Sequence, residues 1–307
     1  MIEVSPPTPT SGKPDWARDG RGWPNAAHSR FVRAGGIVWH LQTWGQGPPL
    51  LLLHGTGAAT HSWRGLAPLL SEHFTLIAPD LPGHGFTQTP SDPGLSLPGM
   101  ARLVAALLAE LGIAPVIAVG HSAGAAVAIR MALDGALPAL RLIIAINGAL
   151  LPFPGFAQAL FPGLAKLLFV NPFVPRLFTL VAMSDAGIAR FLERATGSTI
   201  APAYAADYAN LFRTHGHVAG ALGMMASWDL AALERELPGL GVPLALIVGE
   251  RDAAVPPSVA ARVAAIVQSA HVHSLADRGH LAHEEAPQEV AELVIRLAQG
   301  APCASPS

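Results

Sequence analysis

The chain has 307 residues, of which 51% are hydrophobic and only 13% are charged. This length fits one large α/β domain or two ordinary ones, and the apolar content excludes disorder over most of the chain. A net charge of −2 offers no basic surface for nucleic acid, and a single cysteine, Cys303, excludes an internal disulfide and is typical of a reducing compartment.

Residues 1–28 carry prolines and charges but no apolar run of the kind that a secretory signal requires. We therefore expect an irregular N-terminal arm, on a protein that is cytoplasmic.

Apolar runs bounded by turn residues predict strands at residues 29–33, 37–44, 49–53, 74–78, 116–119, 140–146, 244–248 and 271–275. Helical patterns fall between them, at residues 62–70, 97–111, 125–131, 257–267 and 284–298. Strands that alternate with helices imply an α/β fold with a mostly parallel, eight-stranded sheet and helices on both faces. The predicted core comprises residues 29–148 and 229–298, and a loose tail follows at 299–307.

The insertion at residues 149–228 has no strand signal and is predicted to be a helical lid. The segment 148–183, which covers the first part of the insertion, contains only Lys166 and Arg176 as charges. Prolines at 152, 154, 162, 172 and 175 break it into pieces shorter than the roughly 20 residues that a bilayer-spanning helix needs. Short apolar helices that lie against a substrate or a membrane surface are the prediction.

The lid carries large apolar side chains that would form a surface above the predicted nucleophile. They are Phe153, Phe156, Leu160, Phe161, Leu167, Phe169, Phe173 and Phe178. Further substrate contacts are predicted for residues near the lid exit and the loops, namely Trp63, His121, Met224, Met225 and Trp228. Such a surface suits a bulky hydrophobic small molecule, although apolar lid residues more often pack on the main domain.

The predicted strand at 116–119 runs through Gly120-His-Ser-Ala-Gly124 directly into a helix. A serine at a sharp strand-to-helix turn occupies strained backbone, and the residues two positions away must be small for the turn to close. Ser122 is therefore the predicted nucleophile. The alternative is a glycine-rich turn in which the serine only caps the helix.

Two further groups follow predicted strands, and ligands of open α/β sheets bind at the carboxyl ends of the strands. Asp252 follows the strand at 244–248, and His280 follows the strand at 271–275. A serine hydroxyl needs a base that removes its proton, a role predicted for His280, while Asp252 would hold the imidazole in the correct tautomer. The chain order Ser, Asp, His is the one that α/β-hydrolases use.

The predicted oxyanion donors are the backbone amides of Thr56 and Ala123. Thr56 lies in His54-Gly-Thr-Gly57 after the strand at 49–53, and Ala123 begins the helix after the nucleophile. Each such donor contributes about 3–4 kcal/mol to transition-state stabilisation.

Other residues could fill these roles. Glu250 is a rival acid, and His283 is a rival base for which we expect a solvated position at a helix start. His54 is predicted to shape its loop through hydrogen bonds, and Asp80 and His84 to fix a turn.

The chain has 13 histidines, but their spacing does not predict a metal site. The pairs His280-x-x-His283 and His215-Gly-His217 lack a third ligand at a recognisable spacing, and the motif H-E-x-x-H is missing. We expect neither a metal nor another cofactor.

The motifs together resemble the α/β-hydrolase superfamily over residues 29–298. They are His54-Gly55, Asp80-x-x-Gly-x-Gly85, Gly120-His-Ser-Ala-Gly124, Gly249-x-x-Asp252 and Gly279-His-x-x-x-x-Glu285-x-Pro287. Residues 14–20, 97–100, 147–152 and 217–226 are similar to the magnesium-chelatase accessory family of bacteriochlorophyll biosynthesis in photosynthetic bacteria. That resemblance implies a tetrapyrrole pathway, association with magnesium chelatase and peripheral contact with the inner or photosynthetic membrane.

The leading hypothesis is an esterase-like serine hydrolase that acts on a hydrophobic ester or related carbonyl compound, accessory to magnesium insertion. One alternative is a porphyrin-binding or chelatase-assisting protein that inherits the triad without using it. Cofactor-free haloperoxidase or C–C bond hydrolysis uses the same serine triad and stays open. Dehalogenase and epoxide hydrolase chemistry is disfavoured, because those relatives place a carboxylate where Ser122 stands.

Overall fold

The computed structural model describes residues 3–6, 12–91, 93–152 and 185–301. The lid side chains predicted between Phe153 and Phe178, and the cysteine at position 303, lie outside the described residues.

The centre of the molecule is an eight-stranded sheet with the strand order β1-β2-β4-β3-β5-β6-β7-β8. β2 pairs in antiparallel fashion with β1 and β4, and the other neighbours are parallel. The strands are β1 Ser29–Ala34, β2 Ile37–Trp44, β3 Pro49–Leu53, β4 Thr75–Pro79, β5 Ile117–His121, β6 Leu142–Ile146, β7 Leu244–Gly249 and β8 Ala270–Leu275. The predicted mostly parallel, eight-stranded sheet is confirmed.

The apolar run in β3 shows why the sheet is covered on both faces. Leu51 and Leu53 pack in one hydrophobic cluster, whereas Leu50 and Leu52 pack in another, and all four are fully buried. Successive side chains of a strand point to opposite faces, so an uninterrupted apolar strand requires helices on both sides.

Helices cover the sheet and follow the strands as the periodicity predicts. In the described residues they are α1 Trp16–Asp19, α2 Leu66–Leu70, α3 Leu97–Leu111, α4 Ala123–Leu133, α5 Asp185–Thr196, α6 Pro202–Phe212, α7 His215–Ser227, α8 Leu230–Glu236, α9 Ser258–Ile266, α10 Ala282–Glu285 and α11 Pro287–Gly300. Short 3₁₀ helices lie at Ala26–His28, Thr60–Trp63 and Leu237–Gly239. Helices α5 to α7 belong to the predicted lid, whose boundaries stay a prediction.

The structure differs from the predicted elements near both ends of the chain and at residues 62–70, where the 3₁₀ helix Thr60–Trp63 and the short helix α2 replace one predicted helix. The N-terminal arm, expected to be irregular, contains the single-turn helix α1, which the side chain of Asp15 caps at Ala17. The predicted last helix is broken at Ala286, because the residue before a proline disfavours helical backbone and Pro287 follows. The final helix then continues to Gly300, beyond its predicted end.

No helix in the described parts of the chain combines the length and apolar character needed to cross a bilayer.

Candidate active site

Ser122 occupies the turn between β5 and α4 with a backbone φ of 50° and ψ of −116°. This left-handed φ is strained for a residue with a side chain. A Cβ atom on Gly124 would lie 2.0 Å from the carbonyl oxygen of Leu53, and one on Gly120 would lie 2.4 Å from the backbone of Ala125. The turn therefore closes only with glycine on both sides of Ser122, as the sequence predicts for a nucleophile elbow.

Asp252 lies in the loop after β7 and holds His280 in one tautomer. Its Oδ1 atom accepts hydrogen bonds from the amides of Ala254 at 2.8 Å and Val255 at 2.7 Å. Its Oδ2 atom lies 2.7 Å from Nδ1 of His280. A carboxylate can only accept, so Nδ1 of His280 carries the hydrogen and Nε2 is left as a basic nitrogen. The pair that the sequence predicts is thus in contact.

Asn147, which sequence reasoning gave no role, joins the loops that carry Asp252 and His280. It follows β6, between the strands of Ser122 and Asp252, and is almost fully buried. Its side-chain amide donates to the carbonyl oxygens of Gly279 at 3.0 Å and His280 at 2.8 Å, and its oxygen accepts from the amide of Gly249 at 2.8 Å. Its backbone φ is 47°, in the left-handed region that asparagine tolerates better than most residues. That preference is the one local feature of the sequence that could have pointed to Asn147.

His121 connects the turn at Ser122, called the nucleophile turn after its predicted role, to the loop that carries His280. Its Nε2 atom lies 2.9 Å from the carbonyl oxygen of His280, and the two rings are 4.7 Å apart. His280 therefore lies beside the residue that precedes Ser122. Among the described contacts, none joins the Ser122 hydroxyl to His280, and catalytic hydrogen bonds often tighten only around a substrate. His121 itself is buried, and its predicted substrate contact stays a prediction.

Residues 54–57, called the oxyanion loop after their predicted role, follow β3. His54 is fully buried, accepts the amide of Leu81 on Nε2 at 2.8 Å and places Nδ1 2.8 Å from the carbonyl oxygen of Gly55. Because the Leu81 amide can only donate, Nδ1 of His54 carries the hydrogen and donates to Gly55. That carbonyl belongs to the same peptide unit as the amide of Thr56. His54 thus orients the predicted oxyanion donor, which confirms its predicted role in shaping the loop.

Asp80 confirms its predicted role in fixing a turn. It accepts hydrogen bonds from the amides of Thr60 at 2.7 Å and Phe86 at 2.9 Å, and it lies 2.8 Å from Nδ1 of His40. Burial favours the protonated carboxyl, but the charge and hydrogen bond of His40 hold the pKa of Asp80 below its usual value. The turn therefore carries a buried carboxylate.

The residues predicted to contact substrate differ in their burial and in their distance from the oxyanion loop. Met224 is buried and its sulfur accepts the Thr56 hydroxyl at 3.8 Å, so it borders the oxyanion loop. Met225 is 47% exposed, and Trp228 donates its indole N–H to the carbonyl of Leu95 at 3.1 Å. Trp63 is fully buried in the cluster that contains Leu50 and Leu52, so its position gives no support to a substrate contact.

The expectation that His283 is solvated is wrong. His283 is fully buried and its Nε2 atom lies 2.8 Å from the Ser62 hydroxyl. Glu284 accepts hydrogen bonds on Oε1 from Ser62 at 2.6 Å and from the Tyr208 hydroxyl at 2.7 Å. Burial raises the pKa of Glu284 to about 8 and lowers the pKa of His283 to about 3. A neutral polar junction therefore joins helix α6, which belongs to the predicted lid, to the segment that follows His280.

No group of three or more histidine, cysteine, aspartate or glutamate side chains arranged to hold a metal ion occurs in the described residues.

Comparison with known proteins agrees with the fold. The sequence profile described as "Alpha/beta hydrolase family" matches residues 50–293. The chain is 38% identical over 280 residues to the "Magnesium-chelatase 30 kDa subunit" of Rhodobacter capsulatus, covering 91% of this chain and 97% of the relative. It is 35% identical over 156 residues to a 2-hydroxy-6-oxo-2,4-heptadienoate hydrolase of Pseudomonas putida, covering 50% of this chain and 54% of that protein.

Among solved structures, the epoxide hydrolase CorEH matches with a TM-score of 0.72 at 24% sequence identity. The match covers 87% of this chain and 97% of the CorEH chain. This likeness concerns the fold. The chain belongs to the α/β-hydrolase family. The predicted resemblance to the magnesium-chelatase relatives is likewise confirmed by the match over nearly the whole chain.

Proposed function

We propose that this protein is a serine hydrolase in which Ser122, His280 and Asp252 form the catalytic triad. The observation that carries the proposal is the Asp252–His280 hydrogen bond of 2.7 Å, which leaves Nε2 of His280 as a base on the rim that holds the strained Ser122. The relatives named as hydrolases support the same class of chemistry.

In this mechanism, Nε2 of His280 takes the Ser122 proton while the hydroxyl oxygen attacks a substrate carbonyl. The carbonyl oxygen becomes an oxyanion that the amides of Thr56 and Ala123 bind. The His280 proton then passes to the leaving group, which departs and leaves an acyl enzyme. Water, activated by His280, hydrolyses the acyl enzyme and restores Ser122.

The substrate class that we propose is a hydrophobic ester or related carbonyl compound. Next to the oxyanion loop, Ala58, Ile188, Leu192, Ala209 and Leu281 form a buried apolar cluster. Leu281 directly follows His280, so this apolar cluster borders the proposed catalytic histidine and favours a hydrophobic substrate.

A fluorophosphonate probe tests the mechanism. We expect covalent labelling at Ser122, identified by peptide mass spectrometry, and loss of labelling in Ser122→Ala. His280→Gln should label far more slowly although Ser122 is intact. Folded wild-type protein without labelling at Ser122 would contradict the proposal.

The name of the Rhodobacter relative supports association with magnesium chelatase. The second candidate is therefore a porphyrin-binding or chelatase-assisting protein, which we place at the membrane surface as part of the proposal. Formation of Mg-protoporphyrin in cells that carry Ser122→Ala separates the two candidates. Retained pigment synthesis would favour assistance without catalysis, whereas loss of pigment with intact folding would favour a hydrolase accessory to magnesium insertion. Flotation with liposomes tests the peripheral membrane contact.

A further inference from the structure

Helix α7 of the lid contacts the oxyanion loop through His217. This side chain is fully buried, its Nε2 atom lies 3.1 Å from the carbonyl oxygen of Gly57, and its Nδ1 atom accepts the amide of Gly85 at 3.0 Å. Because the Gly85 amide can only donate, the imidazole hydrogen lies on Nε2 and is donated to Gly57. Burial lowers the pKa of His217 to about 3, so this tautomer persists at neutral pH.

Two more residues on the same face of α7 pack against the same region. Gly220 lies so near Gly83 that a Cβ atom on Gly220 would be 2.0 Å from the carbonyl oxygen of Gly83. One turn further, the Met224 sulfur accepts the Thr56 hydroxyl. Residues three and four positions apart share a helix face. Helix α7 therefore contacts the oxyanion loop and the turn at 81–85 as one unit.

The N-terminal arm holds the beginning of α7. The carbonyl oxygen of Gly12 accepts the amide of Gly216 at 2.7 Å. The ammonium or amine of Lys13 donates to the carbonyl oxygens of Gly83 at 2.6 Å and Thr87 at 3.1 Å. Gly12 thus binds the first turn of α7, and its neighbour Lys13 binds the turn at 81–85, against which Gly220 packs.

We propose that His217 is a positioning residue for the oxyanion hole and that Gly12 and Lys13 hold α7 where His217 can act. The inference rests on the proposed hydrolase function, because Gly57 directly follows Thr56. His54 sets the peptide plane before Thr56, and His217 holds the carbonyl oxygen of Gly57, the next residue after Thr56. With both fixed, the Thr56 amide has little freedom to turn away from a developing oxyanion.

The test compares His217→Ala, His217→Gln and Lys13→Met with a matched control, His271→Ala, which alters an exposed histidine on β8. Hydrolysis of p-nitrophenyl butyrate provides kcat and KM, and hydrogen–deuterium exchange follows residues 54–60. We expect kcat of His217→Ala to fall by about 10-fold to 100-fold, part of the loss caused by removing a whole oxyanion donor, with little change in KM.

His217→Gln should recover most of kcat, because an amide also offers one donor and one acceptor. Lys13→Met should speed exchange in residues 54–60 and 215–227 and lower kcat by a smaller factor. The control should match the wild type in every measurement. Should His217→Ala fail to fold, Lys13→Met carries the same test.

Unchanged exchange at residues 54–60 in His217→Ala and Lys13→Met would overturn the positioning role, whatever the activity. If His217→Ala exchanges faster at residues 54–60 but keeps the wild-type kcat, and the wild-type Ser122 reacts with fluorophosphonate, His217 does not act on the oxyanion donor of Thr56. A wild type without labelling at Ser122 would defeat the hydrolase proposal instead, and the exchange measurement would still decide whether His217 positions the loop.

Discussion

Oδ2 of Asp252 lies 2.7 Å from Nδ1 of His280, while Oδ1 of the same carboxylate accepts two backbone amides. The loop after β7 therefore fixes the carboxylate, and the carboxylate fixes the imidazole. This arrangement distinguishes Asp252 from the rival acid Glu250, which is exposed.

We expect Asp252→Asn to lower kcat for p-nitrophenyl butyrate by about three to four orders of magnitude, because an amide can donate to Nδ1 and favour the wrong tautomer. Steady-state kinetics measure the effect. Glu250→Gln is the matched control and should retain wild-type kcat. A large loss in the control, with a small one in Asp252→Asn, would move the acid role to Glu250.

Asn147→Ala should lower the free energy of unfolding by about 2–4 kcal/mol, because it leaves buried backbone groups of Gly249, Gly279 and His280 without their partner. Urea unfolding measures the change. Asn210→Ala, at an exposed position of α6, should change the unfolding free energy by less than about 0.5 kcal/mol. Equal effects in the two variants would show that the Asn147 contacts do not hold the loops.

Stability should depend on pH through Glu284. Burial raises the pKa of its carboxyl from 4.5 in the unfolded chain to about 8 in the folded protein. Between these pH values the folded carboxyl keeps a proton that the unfolded one has lost, so the contribution of Glu284 to the unfolding free energy falls as pH rises, by up to about 1.4 kcal/mol per pH unit. The contribution is complete below pH 4.5 and is lost as pH passes the folded pKa.

Glu284→Gln should remove this slope, because glutamine resembles the protonated carboxyl. Urea unfolding at several pH values between 5 and 8.5, compared with the wild type and with the exposed-site variant Glu193→Gln, isolates the effect. Parallel curves for wild type and Glu284→Gln would refute the assignment.

Gly124→Ala should destabilise the nucleophile turn, since the new methyl group would collide with the carbonyl oxygen of Leu53. We expect a loss of about 1–3 kcal/mol in unfolding free energy, together with slower fluorophosphonate labelling. Gly241→Ala is the control, because a Cβ atom there meets nothing within 4 Å. A Gly124→Ala protein as stable and reactive as the control would refute the steric requirement at the elbow.

The sheet could be predicted because each strand is marked by residues that are neighbours in the sequence. Each strand is an apolar run between turn residues, and β3 shows that an uninterrupted run means cover on both faces. Ser122, Asp252 and His280 could be predicted to lie near one another for a related reason, since each follows a strand, and strand ends meet at one edge of a parallel sheet.

The remaining features depend on partners that are distant in the chain. The position of His283 at a helix start favours solvation, but the residue is buried against Ser62, which is 221 positions away in the chain. His217 contacts Gly57 over 160 positions. Asn147 contacts backbone groups of two loops. Because every residue has these groups, the sequence gives no sign of the contacts. Such contacts arise only once the layers of the fold have come together.

The contact between Met224 and Thr56 also bears on chemical damage by oxidants. Met225, the next residue, is 47% exposed, whereas Met224 is buried against the oxyanion loop. Peroxide would therefore reach Met225 first and convert it to the sulfoxide, which methionine sulfoxide reductases can repair. Oxidation of Met224 would instead place a polar sulfoxide oxygen against the loop, so inactivation by peroxide should follow the slower modification of the buried methionine.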